Sequence, residues 1–373
     1  MKVLHVSGAR SWGGNEQQLM YLIDELDRLG VEQVLFCYGN TPLEKTAASH
    51  PLKIWSIARV KSYSAAYRKE LREVIAEEKI ELIHLHTSDS VTGFVVTDLL
   101  KPIGVPTVFA KKGVREKNSA LSKFKYNYRN IDKIIVISEY VRENFKSVLK
   151  PKNHSKMVTV YNGIKIPEES VEPEFNLREK LSLEKEKVLF GSIANHTRAK
   201  DLMTLIKAVD ILLKKGIKNF HVVQMGSPSK LTPEFEKAVS DLDVASHFTF
   251  LGFVANAVSF MPQLDALVIS SKREGGPSSL MEAFSRKTAV ISTKVGVVEE
   301  VIENGRNGFY VPTEDPEALA QSMAKFIEDP ELTQKFGERS FEKFQNSFTA
   351  EHLGKNTYEV YRELLNSKKN LVH

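Results

Sequence analysis

Ala266-Leu-Val-Ile-Ser-Ser-Lys-Arg-Glu274-Gly-Gly-Pro-Ser-Ser-Leu-Met-Glu282-Ala-Phe284 reads as a short strand, a glycine turn and a helix. The apolar run Ala266–Ser270 is strand-length. Gly275-Gly276 breaks it, Pro277 suits the first helical position, and Leu280, Met281 and Phe284 give the helix from about Ser278 an apolar face. The amides of Ser278, Ser279 and Leu280 then have no intrahelical acceptor and, with the helix dipole behind them, form a seat for phosphate oxygens. Glu274 and Glu282 flank that seat. An ionised carboxylate only accepts hydrogen bonds, so beside an anion these two are aimed at hydroxyl groups; the plainer alternative is capping and contact with solvent.

Working outward, strand-length runs alternate with helix-length periodic stretches. Toward the start these are Val3–Ser7, a helix near Glu16–Leu29, Val34–Tyr38, a helix near Ala65–Glu78, Leu82–His86, Thr107–Ala110, Lys133–Ser138, a helix near Glu139–Leu149 and Met157–Tyr161, followed by a turn at Asn162-Gly163. Residues 167–187 read as a linker with a lead-in helix. The rhythm restarts with Val188–Ile193, a helix near Leu202–Lys215, Phe220–Gln224, a helix near Pro233–Leu242, Phe248–Leu251, Ala266–Ser270 and Ala289–Thr293, and the tail from Pro316 is helical. Such alternation needs crossover helices on both sheet faces, so the fold class is α/β with two Rossmann-like, doubly wound domains. Their expected bounds are 1–166 and 167–349, with a last helix in 350–373.

The 373 residues exceed what one core usually organises. Residues 1–166 carry 26 Lys and Arg against 17 Asp and Glu, and the remainder 26 against 30, so the net charge of +5 is unevenly shared. A basic first half fits an anionic acceptor, a membrane surface or nucleic acid, or simply a solvated face. Its densest stretch, residues 101–160, includes Lys111, Lys112, Arg115, Lys117, Lys123, Lys125 and Arg129 with Phe124, Tyr126 and Tyr128 interleaved, and predicts a helix presenting cations and rings to headgroups. No zinc-finger spacing or RNA-binding signature accompanies it, which argues against nucleic acid. The single cysteine, Cys37, rules out an intrachain disulfide and reads as a small core residue in a cytoplasmic protein. No apolar run suits a signal peptide or a membrane span, so any membrane contact is expected to be peripheral, at the inner face.

Three further clusters carry candidate chemistry. Gly13 and Gly14, between strand Val3–Ser7 and a helix, allow a phosphate close to backbone amides, though glycine pairs also serve ordinary turns. His84 and His86 share one face of a strand. A metal reading lacks a third ligand, only Asp89 being near in sequence, which leaves a structural histidine or a ligand contact by His86 at the strand's carboxyl end. After Val188–Ile193, the run Ala-Asn195-His-Thr-Arg198-Ala-Lys200 places two cations at a helix start, where both suit a diphosphate, or form an exposed basic turn. Asp241-Leu-Asp243 formally matches a two-aspartate metal motif but reads as surface.

In combination these residues resemble the family 4 retaining glycosyltransferases over essentially the whole chain. The matching pieces are Gly13-Gly14-Asn-Glu16, His84-Leu-His86, Val136-Ile-Ser-Glu-Tyr-Val141, Tyr161-Asn-Gly-Ile164, Lys200, Leu251-Gly-Phe253, Glu274-x7-Glu282, Gly296 with Glu300, Asn307-Gly308-Phe-Tyr-Val311 and Asp315-Pro-Glu-Ala-Leu319. The resemblance implies the GT-B arrangement, two Rossmann-like domains facing across a cleft with the last helix crossing back to the first domain. It implies a nucleoside-diphosphate sugar donor, a glycan or lipid-linked acceptor hydroxyl, retention of configuration, and no metal or other cofactor. By position, Glu274 meets the donor sugar, Glu282 the ribose, Lys200 the diphosphate, Gly13 and Gly14 the phosphate loop, and His86 the sugar from the first domain. Asn195, Arg198, Phe253, Gly275, Gly276, Pro277, Ser278, Ser279 and Leu280 complete the donor contacts. The chain departs from the family pattern at Asn195, where an arginine is usual, and at Lys165, Lys287, Ala289 and Val297. A sugar-nucleotide epimerase or phosphorylase on the same fold, and a non-catalytic partner protein with a weakened site, are the alternatives.

Overall fold

The computed structural model describes residues 1–114, 119–166 and 172–369. Arg115 and Lys117 of the basic stretch, residues 167–171 of the expected linker and the last four residues lie outside these. The chain forms two compact units, Met1–Lys165 together with Thr349–His373, and Ile166–Phe348.

The first unit is built on strands β1 Lys2–Val6, β2 Glu32–Tyr38, β3 Lys53–Ile57, β4 Leu82–Leu85, β5 Thr107–Lys111, β6 Lys133–Val136 and β7 Met157–Thr159, in the order β3-β2-β1-β4-β5-β6-β7. All pairs are parallel, so each strand needs a crossover and both faces are covered. One face buries Leu4, Phe36, Tyr67, Ile83, Phe94, Ile134 and Phe145. On the other, Val3, Leu82, Val108 and Ile135 pack with Leu22 and Leu26 of helix Gly14–Arg28 and with Leu353, Val360, Tyr361 and Leu364 of helix Ala350–Lys369. Gly163 explains how that last helix is seated. A Cβ there would lie 2.3 Å from Thr349 O, and Gln18 clasps the residue by donating Nε2 to Gly163 O at 2.8 Å and accepting from Gly163 N at 3.0 Å. Asn162-Gly163 is thus a close backbone approach rather than the expected turn.

The second unit carries β8 Val188–Ile193, β9 Phe220–Met225, β10 Phe248–Gly252, β11 Ala266–Ile269, β12 Ala289–Thr293 and β13 Phe309–Val311, in the order β10-β9-β8-β11-β12-β13. Its core joins Phe190, Leu205, Val209, Val222, Val268 and Ile291 to Phe309, Phe326 and Phe336.

In each sheet the strand order reverses once, between β1 and β4 and between β8 and β11. Beyond the carboxyl ends of strands at such a reversal the flanking loops diverge, which opens the crevice where doubly wound sheets hold ligands. The candidate residues follow those four strands: Gly13 and Gly14 after β1, His86 after β4, Asn195–Lys200 after β8, and Glu274–Glu282 after β11.

Candidate functional site

In the second unit, Lys200 Nζ lies 2.9 Å from Glu274 Oε1, and Ser271 Oγ donates to the same oxygen at 2.5 Å. The loop bearing Lys200 is stapled to the β11 loop by Lys272 N to Ala199 O, 2.8 Å, and Ser270 Oγ to Lys200 O, 3.0 Å. Lys200 and Glu274 are 28% and 13% exposed, so the pair is shielded enough to hold its geometry yet open to a ligand.

Helix Ser278–Ser285 begins beside this pair. Pro277 is its N-cap rather than its first helical residue, and its side chain supplies no cap hydrogen bond. Leu280 N donates to Pro277 O at 3.1 Å, so the expectation of three free amides is corrected: the tight first turn consumes one. The amides of Ser278 and Ser279 find no acceptor among the described residues. Gly296, at φ +56°, seats the turn, since a Cβ there would stand 2.5 Å from Gly275 O and 2.8 Å from Gly276 N. Burial pushes the Glu282 carboxyl up to about 7, against the pull of Arg286 and Lys200. One carboxylate is thus ion-paired and the other is poised between its two protonation states.

In the first unit, helix Gly14–Arg28 starts from Gly13 in extended conformation, again without a side-chain cap, and both glycines are exposed. Lys112, which follows β5, donates Nζ to Asn15 O at 3.0 Å, and burial lowers its ammonium to about 8, with Glu16 opposing. It belongs to this loop rather than to a surface helix.

His86 and His84 gain a third imidazole from β1, His5, which pairs with His84 in register. The three offer nitrogens within 4.8 Å of one another. Asp89, the carboxylate near in sequence, is instead taken by Tyr38 Oη at 3.0 Å and Ser62 Oγ at 2.8 Å. Gln33 Nε2 donates to Ile23 O, so its Oε1 accepts from His5 Nε2 at 3.0 Å, which leaves His5 Nδ1 to accept from His86 Nε2 at 2.9 Å. His84 Nδ1 meets Tyr361 Oη at 2.5 Å. Burial holds all three well below the ordinary imidazole range, His5 at about 4, so they are neutral near pH 7. Among the described residues, His84 Nε2 and His86 Nδ1 find no hydrogen-bond partner.

Comparison with known proteins places this geometry. The model "Glycosyltransferase Family 4" matches residues 12–166 and "Glycosyl transferases group 1" matches residues 173–343. The chain belongs to the family 4 glycosyltransferases. An uncharacterized glycosyltransferase of Methanocaldococcus jannaschii is 26% identical over 299 residues, 79% of this chain and 78% of that protein. The N-acetyl-alpha-D-glucosaminyl L-malate synthase of Bacillus anthracis is 22% identical, covering 85% and 83%. A capsular polysaccharide biosynthesis glycosyltransferase of Staphylococcus aureus is 24% identical over 48% of this chain and 46% of its own. The crystal structure of Anabaena HepE in complex with UDP superposes with a TM-score of 0.83 at 18% identity, covering 97% of this chain and 100% of that one. Such structural neighbours make both sheets those of a GT-B glycosyltransferase.

Within this glycosyltransferase, not every candidate converges on the Lys200–Glu274 pair. Asn195 Oδ1 accepts from Ser227 N at 2.9 Å, which ties the β8 loop to the β9 loop. Arg198 is exposed and lines a separate groove of about 530 Å³ with Asp201, Lys207, Lys272 and Glu314. Phe253 stands 71% exposed just past the carboxyl end of β10. Ser271 and His5 carry clear roles that motif spacing alone did not single out, whereas Gly296 was among the matching family pieces. Only the position of Ser271, three residues before Glu274 and past a strand end, pointed toward its contact. Asp241 pairs with Lys237 at 2.6 Å on the exposed helix Thr232–Asp241, a surface role.

Proposed function

We propose that this glycosyltransferase moves a hexose-type residue from a nucleoside-diphosphate sugar to a hydroxyl of a glycan or lipid-linked acceptor, retaining configuration and needing no metal, in cytoplasmic assembly of cell-surface polysaccharide or lipopolysaccharide. The observation that carries the reading is the Lys200–Glu274 pair beside the uncapped start of helix Ser278–Ser285. A diphosphate oxygen suits the amides of Ser278 and Ser279 and the Lys200 ammonium, which together take over the charge that develops on the departing phosphate. Freed from the ammonium, Glu274 turns its carboxylate to sugar hydroxyls. Glu282, once ionised, accepts from the ribose diol, Phe253 offers a flat face to the base, and Gly275, Gly276 and Pro277 let the backbone approach the pyrophosphate closely. UDP in the Anabaena neighbour supports the nucleotide class, and the capsular relative supports the polysaccharide setting.

No side chain serves as nucleophile in this reading. The leaving phosphate takes the proton of the incoming hydroxyl on the same face of the sugar, so the protein contributes position and charge. In the first unit, the exposed Gly13-Gly14 amides and Lys112 suit an anionic group, and neutral His86 can act toward a sugar hydroxyl only as a hydrogen-bond partner.

The test is Glu274→Ala assayed by release of nucleoside diphosphate across a donor panel. Loss of a single transition-state contact of this kind lowers kcat by about a hundredfold or more, with the melting temperature retained. Near-normal turnover sinks the assignment. Formation of an epimer from donor alone, or of sugar phosphate on adding phosphate, selects the epimerase or phosphorylase instead. Failure of every nucleotide sugar to raise the melting temperature selects the non-catalytic partner.

A further inference from the structure

An apolar opening on the first unit lies at the end of the sheet away from its glycine loop. A cavity of about 690 Å³ is walled by Leu99, Pro102, Phe124 and Leu149 and rimmed by Lys123, Arg129 and Lys150. Its walls are the segments that enter β5, β6 and β7, so it sits at the amino ends of those strands, whereas ligands of doubly wound sheets bind at the carboxyl ends. It is therefore not a continuation of the substrate site.

Of the large apolar side chains that face solvent, Leu99, 53% exposed, and Phe124, 54%, line it, and Leu100, 69%, and Leu121, 67%, lie next to them on the same two helices. Leu121 and Phe124 are three residues apart on helix Ala120–Tyr126 and so share a face. A contiguous apolar patch rimmed by polar groups marks an interaction surface. The rim is cationic. Lys101, Lys123, Lys150 and Lys152 are exposed and none is paired with a carboxylate among the described residues. Asp98, the acid in the cavity wall, is buried and satisfied by Tyr128 Oη at 2.7 Å, Asn130 Nδ2 at 2.6 Å and Ile103 N at 2.6 Å, so it does not offset them.

The sequence pattern had assigned Lys125, Tyr126 and Tyr128 to such a face, and the structure corrects that. Lys125 Nζ is drawn inward by Ser88 O at 2.7 Å, Ser88 Oγ at 2.7 Å and Thr92 Oγ1 at 2.9 Å, and both tyrosines are buried. Of the interleaved set, Lys123, Phe124 and Arg129 remain outward, joined by the leucines and by Lys150.

We propose that this face docks the protein on an anionic phospholipid bilayer, with Leu121, Phe124 and Leu100 entering the boundary between headgroups and acyl chains and the lysines resting on lipid phosphates. Unpaired cations select lipid of negative charge, and apolar side chains set among them suit an interface that offers both phosphate and hydrocarbon. Basic residues 1–166 reinforce the attraction, with 26 Lys and Arg against 17 Asp and Glu. The inference stands on the first unit alone and does not depend on which sugar is transferred.

The experiment is sedimentation of the full chain with vesicles of phosphatidylcholine alone or mixed with phosphatidylglycerol, at low and high salt. Expected is binding to the mixed vesicles only, weakened by salt. Lys123→Ala with Lys150→Ala lowers the partition coefficient roughly 25-fold, at about fivefold per cation. Leu121→Ser with Phe124→Ser abolishes binding while the melting temperature holds, since these side chains are exposed. Absence of binding, equal binding to neutral vesicles, or indifference to both double variants overturns the proposal. So does a concentration-dependent dimer that the same substitutions dissolve, which would assign the face to self-association.

Discussion

Glu282→Gln should stabilise the protein and impair it at the same time. The Glu282 carboxyl is pushed from 4.5 to about 7 by burial, and each pKa unit is worth about 1.4 kcal/mol of difference between the protonation states. The sign follows from linkage. Below the unfolded value both states carry the proton and the group contributes nothing. As pH rises through 4.5 toward 7 the unfolded chain releases its proton first, so the folded state loses stability, and above 7 it bears the full cost, about 3 kcal/mol. Glutamine keeps the shape and removes the charge. The variant should therefore melt at the wild-type temperature near pH 4 and roughly 6–12 °C higher near pH 8. Calorimetric titration at the higher pH should show weaker donor binding, because an amide replaces an acceptor-only carboxylate at the ribose. Wild-type donor affinity should rise with pH through 7, and the variant's should not. A stability difference that is the same at both pH values would refute the reasoning, since it would mean that burial does not oppose the charge.

Gly296→Ala adds a methyl to a residue at φ +56°, 2.5 Å from Gly275 O, so the 275–276 turn must move and the seat of Ser278 and Ser279 with it. Donor affinity should fall more than tenfold, with a stability loss of about 1–3 kcal/mol measured by urea melts. The three histidines predict acid lability: the folded state refuses protons that the unfolded chain accepts at 6.5, so stability is full above that value and is lost as pH falls toward 4, by about 3 kcal/mol for His5 alone. Glu282 drifts the other way over the same range in both proteins, so the check is the difference between them: a His5→Gln variant whose melting temperature changes between pH 6.5 and 4 just as the wild type's does contradicts this.

How far this was legible in the sequence depends on how local each cause is. Strand Ala289–Thr293 is a compact apolar run, and the structure gives it those bounds. Strand Lys53–Ile57 escaped because it is an edge strand with polar and half-buried positions, and strand Phe309–Val311 because it is three residues long. Helix Ser88–Leu100 escaped because burial on nearly all sides erases the amphipathic period. At the site, the loops after β8 and β11 could be placed from strand and turn signals, and the ion pair between Lys200 and Glu274 joins two of the residues so placed. What could not be seen were contacts set by strand pairing. His5 lies far from His84 in sequence and becomes its neighbour only through the β1–β4 register. Lys125 looks like any surface lysine until helix Ser88–Leu100 wraps its ammonium.

The return of the chain at Thr349 has a consequence for biogenesis. Ala350 N bonds to Ile164 O at 2.9 Å, so the first unit is left just after residue 164 and rejoined beside it, with the 183 residues of the second unit made in between. During translation, the apolar face of Val3, Leu82, Val108 and Ile135 must therefore wait for Leu353, Val360 and Tyr361. At ordinary ribosomal rates that wait is roughly ten to forty seconds. Through that interval the second unit grows while the first stays open, so the demand for chaperone shielding lasts until the final helix is made and falls on residues that were made first.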